Sequence, residues 1–299
     1  MRCDLHVHSR HSGTYRLPIF DGLCNESYSP PQAVYDKLKA LRMDLVTLTD
    51  HDSIEGCEEL RRHADFFPSE EVTCRMPSGT EAHVAVYDIS ERQHIEIQRR
   101  REDLPRLLGY LDEQQVFYSA QHIFSGLTGR REEDDFAWFA ARFPAVETLN
   151  AHLPSRGNAH AVRFARRSGR APTAGSDGHT LRSVGTAFTE VPGARTKAEF
   201  FAGLRQGKGL PRGECGTFWK MTRDALLIIA SMMAEKPAKF LFAPLAAAVP
   251  MFAAWHFCQE KMFLRKWEGV LADSSVVAPC GPGSAARPAP CAASAEVIA

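Results

Sequence analysis

Short apolar runs alternate with longer amphipathic ones through about residue 210, and that alternation is the strongest constraint on what this chain can fold into. It is the pattern of repeated β-α units. Strands are expected over 2–7, 45–49, 71–74, 83–88, 116–120, 145–149, 171–175 and 187–191, and helices over 31–42, 90–114, 134–142 and 158–168. A chain of 299 residues can build one barrel-sized domain with an appendage. The polar, Gly/Pro-containing segment 12–30 reads either as a lid over a site or as a plain surface loop.

Histidines and carboxylates recur at the carboxyl ends of these strands. In D-L-H-V-H, residues 4–8, strand alternation puts His6 and His8 on one side. His51 follows in T-D-H-D, Glu71 in S-E-E-V-T, His83 in E-A-H-V-A-V-Y and His122 in S-A-Q-H, with Asp177 and His179 in G-S-D-G-H-T. Strand ends matter because parallel barrels assemble their sites from the loops at that face. Each residue also has a plainer reading: Asp50 and Asp52 as turn or cap acids, His83 and His122 as core histidines, Asp177-Gly178 as a turn. Six histidines and two carboxylates in this placement, with no thiolate among them, suit Zn, Mn or Fe.

These motifs resemble the polymerase and histidinol phosphatase (PHP) family. The resemblance rests on D-L-H-V-H-S at 4–9, L-T-D-H-D at 48–52, E-V-T at 71–73, His83, His122 and G-S-D-G-H at 175–179, and it runs to V-G-T-A-F-T-E-V at 184–191. It implies an α/β fold, a distorted (β/α)7 TIM-like barrel, holding two or three divalent metal ions. By the same resemblance, His6, His8, Glu71 and Asp177 form one site, and Glu71 bridges to a second that His83 and His122 complete. His51 and His179 belong to a third site, and the catalytic roles fall to His51, Asp177 and His179. The chain departs from the family where many members carry an Asp or His shortly after H-x-H: Ser12, Gly13 and Thr14 stand here, with His11 the nearest substitute.

Closely spaced divalent ions acidify a water and stabilise charge on attacking and leaving oxygens, so hydrolysis of a phosphoester by metal-activated water is the expected chemistry. Asp4 and Asp50, each beside a proposed ligand, are expected to orient imidazoles. Arg10, Arg182 and Asn150 are candidate substrate contacts; rim arginines, and a Glu147–Asn150 pair closing the barrel by hydrogen bonds, are the plainer readings. Lys plus Arg equals Asp plus Glu, which gives no sign of the basic field that long nucleic acids require, and a small phosphorylated substrate is expected. The eight cysteines are dispersed without a C-x-x-C pair, and His6 and His8 arrive before an apolar targeting segment would fit. Both point to a cytoplasmic protein.

The barrel is expected over 1–213, a helical, apolar appendage over 214–271, and a disordered tail rich in Ala, Pro, Ser and Gly over 272–299. Residues 240–259 carry no Asp, Glu, Lys or Arg, and a run of about 20 apolar residues spans a bilayer. A span, attachment to the inner face of the membrane, and an oligomer-forming or partner-docking helix pair all stay open. So do two rival roles for the barrel: a degenerate domain that binds metal without turnover, motivated by the missing ligand after H-x-H, and an accessory module of a partner enzyme. Hydrolysis of C–N bonds is a further option, since barrel metal sites serve several chemistries.

Overall fold

The computed structural model describes residues 1–14, 24–126, 128–235, 244 and 246–269, and among the described residues eight strands and nine helices follow one another. In chain order they are β1 (Arg2–Cys3), α1 (Pro31–Ala40), α2 (Glu55–Glu58), β2 (Ser69–Arg75), β3 (Glu81–Tyr87), α3 (Glu91–Gln98), α4 (Leu104–Glu113), β4 (Phe117–Ala120), α5 (Glu133–Arg142), β5 (Ala145–Asn150), α6 (Ser155–Ser168), β6 (Ala171–Gly175), β7 (Ala187–Glu190), α7 (Lys197–Arg205), β8 (Leu210–Gly213), α8 (Phe218–Glu235) and α9 (Val249–Lys266). The expected tail at 272–299, and residues 240–243 and 245 of the uncharged run, lie outside the described residues.

Regular pairing gives two sheets, a five-stranded one in the order β2-β3-β4-β5-β6 and a three-stranded one in the order β1-β7-β8. The first is mixed: β2-β3 and β3-β4 are antiparallel, while β4-β5 and β5-β6 are parallel. This corrects the expectation of uniform β-α units. Between β2 and β3 there is no helix but a tight turn through Pro77-Ser78-Gly79, with the Met76 N–H donating to Thr80 O at 2.8 Å. Pro and Gly in so short a gap are hairpin signals.

Nor do the sheets close into one continuous barrel. The expected strands at 2–7 and 45–49 keep only β1 as ladder; beyond it the chain is joined by isolated bridges, Val7 to Gly178, Val46 to Phe66 and His51 to Glu71. The reason is local. Side chains take the backbone donors that a ladder would use: Thr49 Oγ1 accepts from Val7 N–H (2.9 Å), Asp4 from His6 N–H (3.2 Å) and Asp50 from Ser9 N–H (2.6 Å).

The helices start and stop where short-range chemistry directs. The expected helix over 90–114 is two, because the Asp103 carboxylate caps Arg106 N–H and Pro105 sits in the first turn of α4. A Ser90–Gln93 capping box opens α3, and Gly169, with φ of 68°, ends α6. Val34 and Leu38 of α1, four residues of α4 (Leu104, Leu107, Leu108, Leu111) and Phe136, Phe139 and Phe164 bury one face of each helix in the main core.

The C-terminal helices belong to this body. Leu264 (1% exposed) and Trp267 (6%) lie in the same core as Phe124, Phe136 and Phe164, and burying a side chain of that size stabilises by roughly 1.5–3 kcal/mol. Among the described residues no helix is long and apolar enough to cross a membrane. The helix in the uncharged run is Val249–Lys266, which contains Glu260, Lys261, Arg265 and Lys266.

Candidate metal centre

The strand ends converge as the alternation demands. His6 and His8 leave β1 on one side, β2 supplies Glu71, β3 supplies His83, and the loops after β4 and β6 supply His122, Asp177 and His179. Gly175 permits the closest approach: a Cβ there would lie 2.2 Å from the Cβ of His6, so only glycine lets β6 pass. His122 (φ 29°) and Asp177 (φ 50°) take left-handed backbone, which turns their side chains off the strand direction.

Glu71 is at the middle, fully buried. Its Oε1 faces His83 Nδ1 (3.1 Å) and His122 Nε2 (3.0 Å); its Oε2 faces His6 Nε2 (3.0 Å), His8 Nε2 (3.4 Å) and His51 Nδ1 (3.5 Å). Asp177 Oδ1 lies 3.3 Å from His8 Nε2, 3.5 Å from His6 Nε2 and 3.6 Å from His179 Nδ1. All eight expected ligands are brought together. They form four groups of three whose donor atoms lie within 4.8 Å of one another: His6, His8 and Asp177; His6, Glu71 and His122; His51, Glu71 and His83; His8, His51 and His179.

These donors fit divalent metal ions. His8 Nε2 and His51 Nδ1 are buried with no hydrogen-bond partner although both face carboxylates, and an orphaned buried acceptor or donor is costly unless something else satisfies it. The set is imidazole and carboxylate without thiolate, which suits a divalent metal ion. Charge follows the same plan. Burial would raise the Glu71 and Asp177 carboxyls, but His6 and the other imidazoles outweigh it and hold both well below the usual range. Burial would depress His6 and His83; Glu71 outweighs it, lifting His6 well above its ordinary value and His83 to about 9. Burial wins at His8, which falls to about 4 with His179 beside it.

Residues behind the cluster fix it. Glu147 accepts from His6 Nδ1 (2.9 Å), which leaves Nε2 free to face Glu71, and also accepts from His122 N–H and Asn150 Nδ2 (3.0 Å each). Asn150 donates as well to Asp177 Oδ2 at 3.1 Å. Asp4 and Asp50 do not touch an imidazole, contrary to expectation. Asp4 accepts from the N–H groups of His6, Ser176 and Gly185, and Asp50 from Ser9 N–H and Oγ; both orient backbone, and burial lifts both to about 6.

His11 is not the missing ligand: its ring nitrogens face Glu55 (3.3 Å) and Glu59 (3.2 Å) on and after α2. A further carboxylate reaches one outer histidine: Glu26 Oε2 lies 3.4 Å from His51 Nε2. His152, also missed, packs its ring 6.0 Å from that of His179. Arg10 is exposed and pairs with Glu59 at 3.1 Å, and Arg182 is exposed past His179.

Comparison with known proteins agrees with this geometry. Residues 155–208 match the sequence profile of the PHP-associated family, PHP_C. No curated protein matches the chain by sequence. Among solved structures, the chain is similar to a two-domain protein from Bacteroides vulgatus containing a predicted PHP-like metal-dependent phosphoesterase, at 15% identity and a TM-score of 0.55, over 72% of this chain and 65% of that one. It is also similar to PsfC from Pseudomonas syringae, at 18% identity and a TM-score of 0.52, over 78% of this chain and 98% of that one. The chain thus spans a little under two thirds of the Bacteroides protein. The fold is thus similar to that of proteins containing a PHP-like domain, and residues 155–208 match the PHP-associated profile.

Proposed function

We propose that this protein hydrolyses a small phosphoester, a phosphomonoester or nucleotide phosphate, with two or three divalent metal ions. The observation that carries the reading is Glu71, whose two oxygens face separate sets of histidines as a carboxylate bridging two metal ions would. His6, His8 and Asp177 would hold one ion, His83 and His122 the ion shared through Glu71, and His51 and His179 a third, with Glu26 beside them. Bound ions supply Lewis acidity toward a phosphoryl oxygen and an acidified water. The protein's own part is to aim the imidazoles: Glu147 holds the Nδ1 proton of His6, and Asn150 holds Glu147 and Asp177 together. His179 and His51 stand at the open side, where a proton can pass to a leaving oxygen. Arg10 and Arg182 would meet the substrate at the rim. The sheets and bridging segments are read as a distorted (β/α)7 barrel in the cytoplasm.

Glu26 bears on the rival reading of a metal-binding module without turnover. That reading rests on the missing acid after H-x-H, and an acid 3.4 Å from His51 weakens its motive. A second role for residues 214–271, attachment to a membrane surface, is favoured by exposed Trp219 on α8 and exposed Met251, Trp255 and Met262 on α9. Vesicle flotation tests it: protein that stays at the bottom of the gradient with anionic lipid removes it.

The enzyme reading is tested by metal analysis of protein purified without chelator, then phosphate release from a panel of mono- and diesters with added Mn, Zn or Fe. Two or more ions per chain, and release that disappears in Asp177→Ala, are expected. Bound metal with no release from any ester would leave the module reading, and no metal would remove the site assignment.

A further inference from the structure

The loops after β4, β5 and β6 carry or support His122, Asp177 and His179, and the chain beyond Gly213 is fastened to all three. Gly216 donates to Leu153 O at 2.7 Å and bridges to Pro154, so close that a Cβ would lie 2.1 Å from His152 O. Asp224 of α8, 1% exposed, accepts from the hydroxyl of Thr180 at 3.3 Å, one residue past His179. Glu260 of α9, 2% exposed, accepts through Oε1 from Gly126 N–H (2.8 Å) and Ser125 Oγ (3.1 Å), 135 residues earlier in the chain. Ser125 N–H in turn closes onto His122 O at 3.0 Å.

We propose that Glu260 is a positioning residue for His122: α9 reaches back to fix the turn that presents this imidazole to Glu71, so the centre is complete only with the C-terminal helices docked. The inference rests on the reading of His122 as a metal ligand. Three features support it. His122 holds a φ of 29°, a conformation that surrounding contacts must enforce in any residue with a side chain. Glu260 sits one turn from Leu264 on the buried face of α9, where an apolar residue would be cheaper to bury, and its carboxylate is aimed at the loop instead of at solvent. The loop leaves room for little else, since a Cβ on Gly126 would lie 3.3 Å from Glu260 Oε1.

The test titrates metal-free, full-length Glu260→Ala, Glu260→Gln and Ser125→Ala proteins with Mn or Zn, and follows amide exchange in 121–126 and the thermal midpoint. Glu260→Ala should weaken binding about tenfold, at the lower end of what losing an outer partner of a ligand costs, and should speed exchange in that loop. Glu260→Gln keeps an oxygen for Gly126 N–H and should restore both; Ser125→Ala should fall between. A thermal midpoint that drops while affinity and loop exchange stay at wild-type values would overturn the proposal. If Glu260→Ala does not fold, Ser125→Ala decides, and wild-type affinity there overturns it too. None of these readouts needs a phosphoester, so failure of the hydrolysis reading is seen separately; a wild-type protein that takes up no metal would remove His122 as a ligand altogether.

Discussion

The inner and outer halves of the metal centre are built differently. His6, His8, Glu71, His122 and Asp177 are at most 5% exposed, and a carboxylate, a hydroxyl or the backbone fastens most of them from behind: His6 by Glu147, His8 by Ser12, His122 by Glu147 through its N–H, Asp177 by Asn150. The side chains of His51, His83 and His179 are 14–20% exposed, and their acidic neighbours Glu26 and Glu81 are themselves partly open to solvent. A buried, doubly fastened donor set costs little to reorganise and holds its ion tightly; an open one exchanges ion, water and substrate. On the proposed function the inner half would anchor the ions and the outer half would be the working face.

Glu71→Gln strikes both halves and should have the largest effect. It removes the charge shared by five imidazoles, and metal content should fall by more than the roughly 100-fold that loss of an outer partner can cost, measured by titration of the metal-free protein. Retention of both ions would break the comparison at its centre. Glu147→Gln touches only the inner half. It should weaken the tighter class of site by about 10–100-fold and leave the weaker class within error.

Acidity tests Glu71 again, which lifts an inner histidine, His6, and an outer one, His83. In the metal-free protein His83 is lifted to about 9 by Glu71 against the pull of burial, so its contribution to stability is complete below its ordinary value near 6.5 and is lost as pH rises through 9. The thermal midpoint of metal-free protein should fall between pH 6.5 and 9. Metal should abolish that fall and release protons as it binds, visible as a pH drop in weakly buffered solution. A flat metal-free profile would mean that His83 is neutral already. The smallest effect is expected from Glu26→Gln: the inner ions stay, and only the weakest class of site loosens, seen in the last phase of a metal titration.

How much of this could be read from sequence depends on how local each signal is. His6, His8, Glu71, His83, His122, Asp177 and His179 stand next to strands whose apolar runs announce them, so pattern and strand-end position indicate their grouping at one end of the fold. Glu26 stands in the 12–30 loop, where no period sets a register, and only the folded chain puts it by His51. The β2-β3 hairpin is readable from Pro77-Ser78-Gly79, between strands expected at 71–74 and 83–88 with no helix between them. The appendage is harder to read. Its uncharged run drew notice, whereas the informative residues are Lys220 and Asp224, one helical turn apart and both buried, and Glu260 beyond the run. Polar residues inside an apolar helix face mark a surface that meets protein.

One consequence concerns synthesis. The carboxylate of Asp4 receives hydrogen bonds from Ser176 and Gly185, across 172 and 181 residues, and these ties bring the start of the chain beside β6. A ribosome releases only about 5–20 residues each second. The opening histidines therefore leave the exit tunnel many seconds before Asp177 and Glu260 exist, and during that interval they are two exposed imidazoles on an unfinished chain. On the proposed function, the donor set for the ions is complete only after the segment carrying Asp177 has emerged.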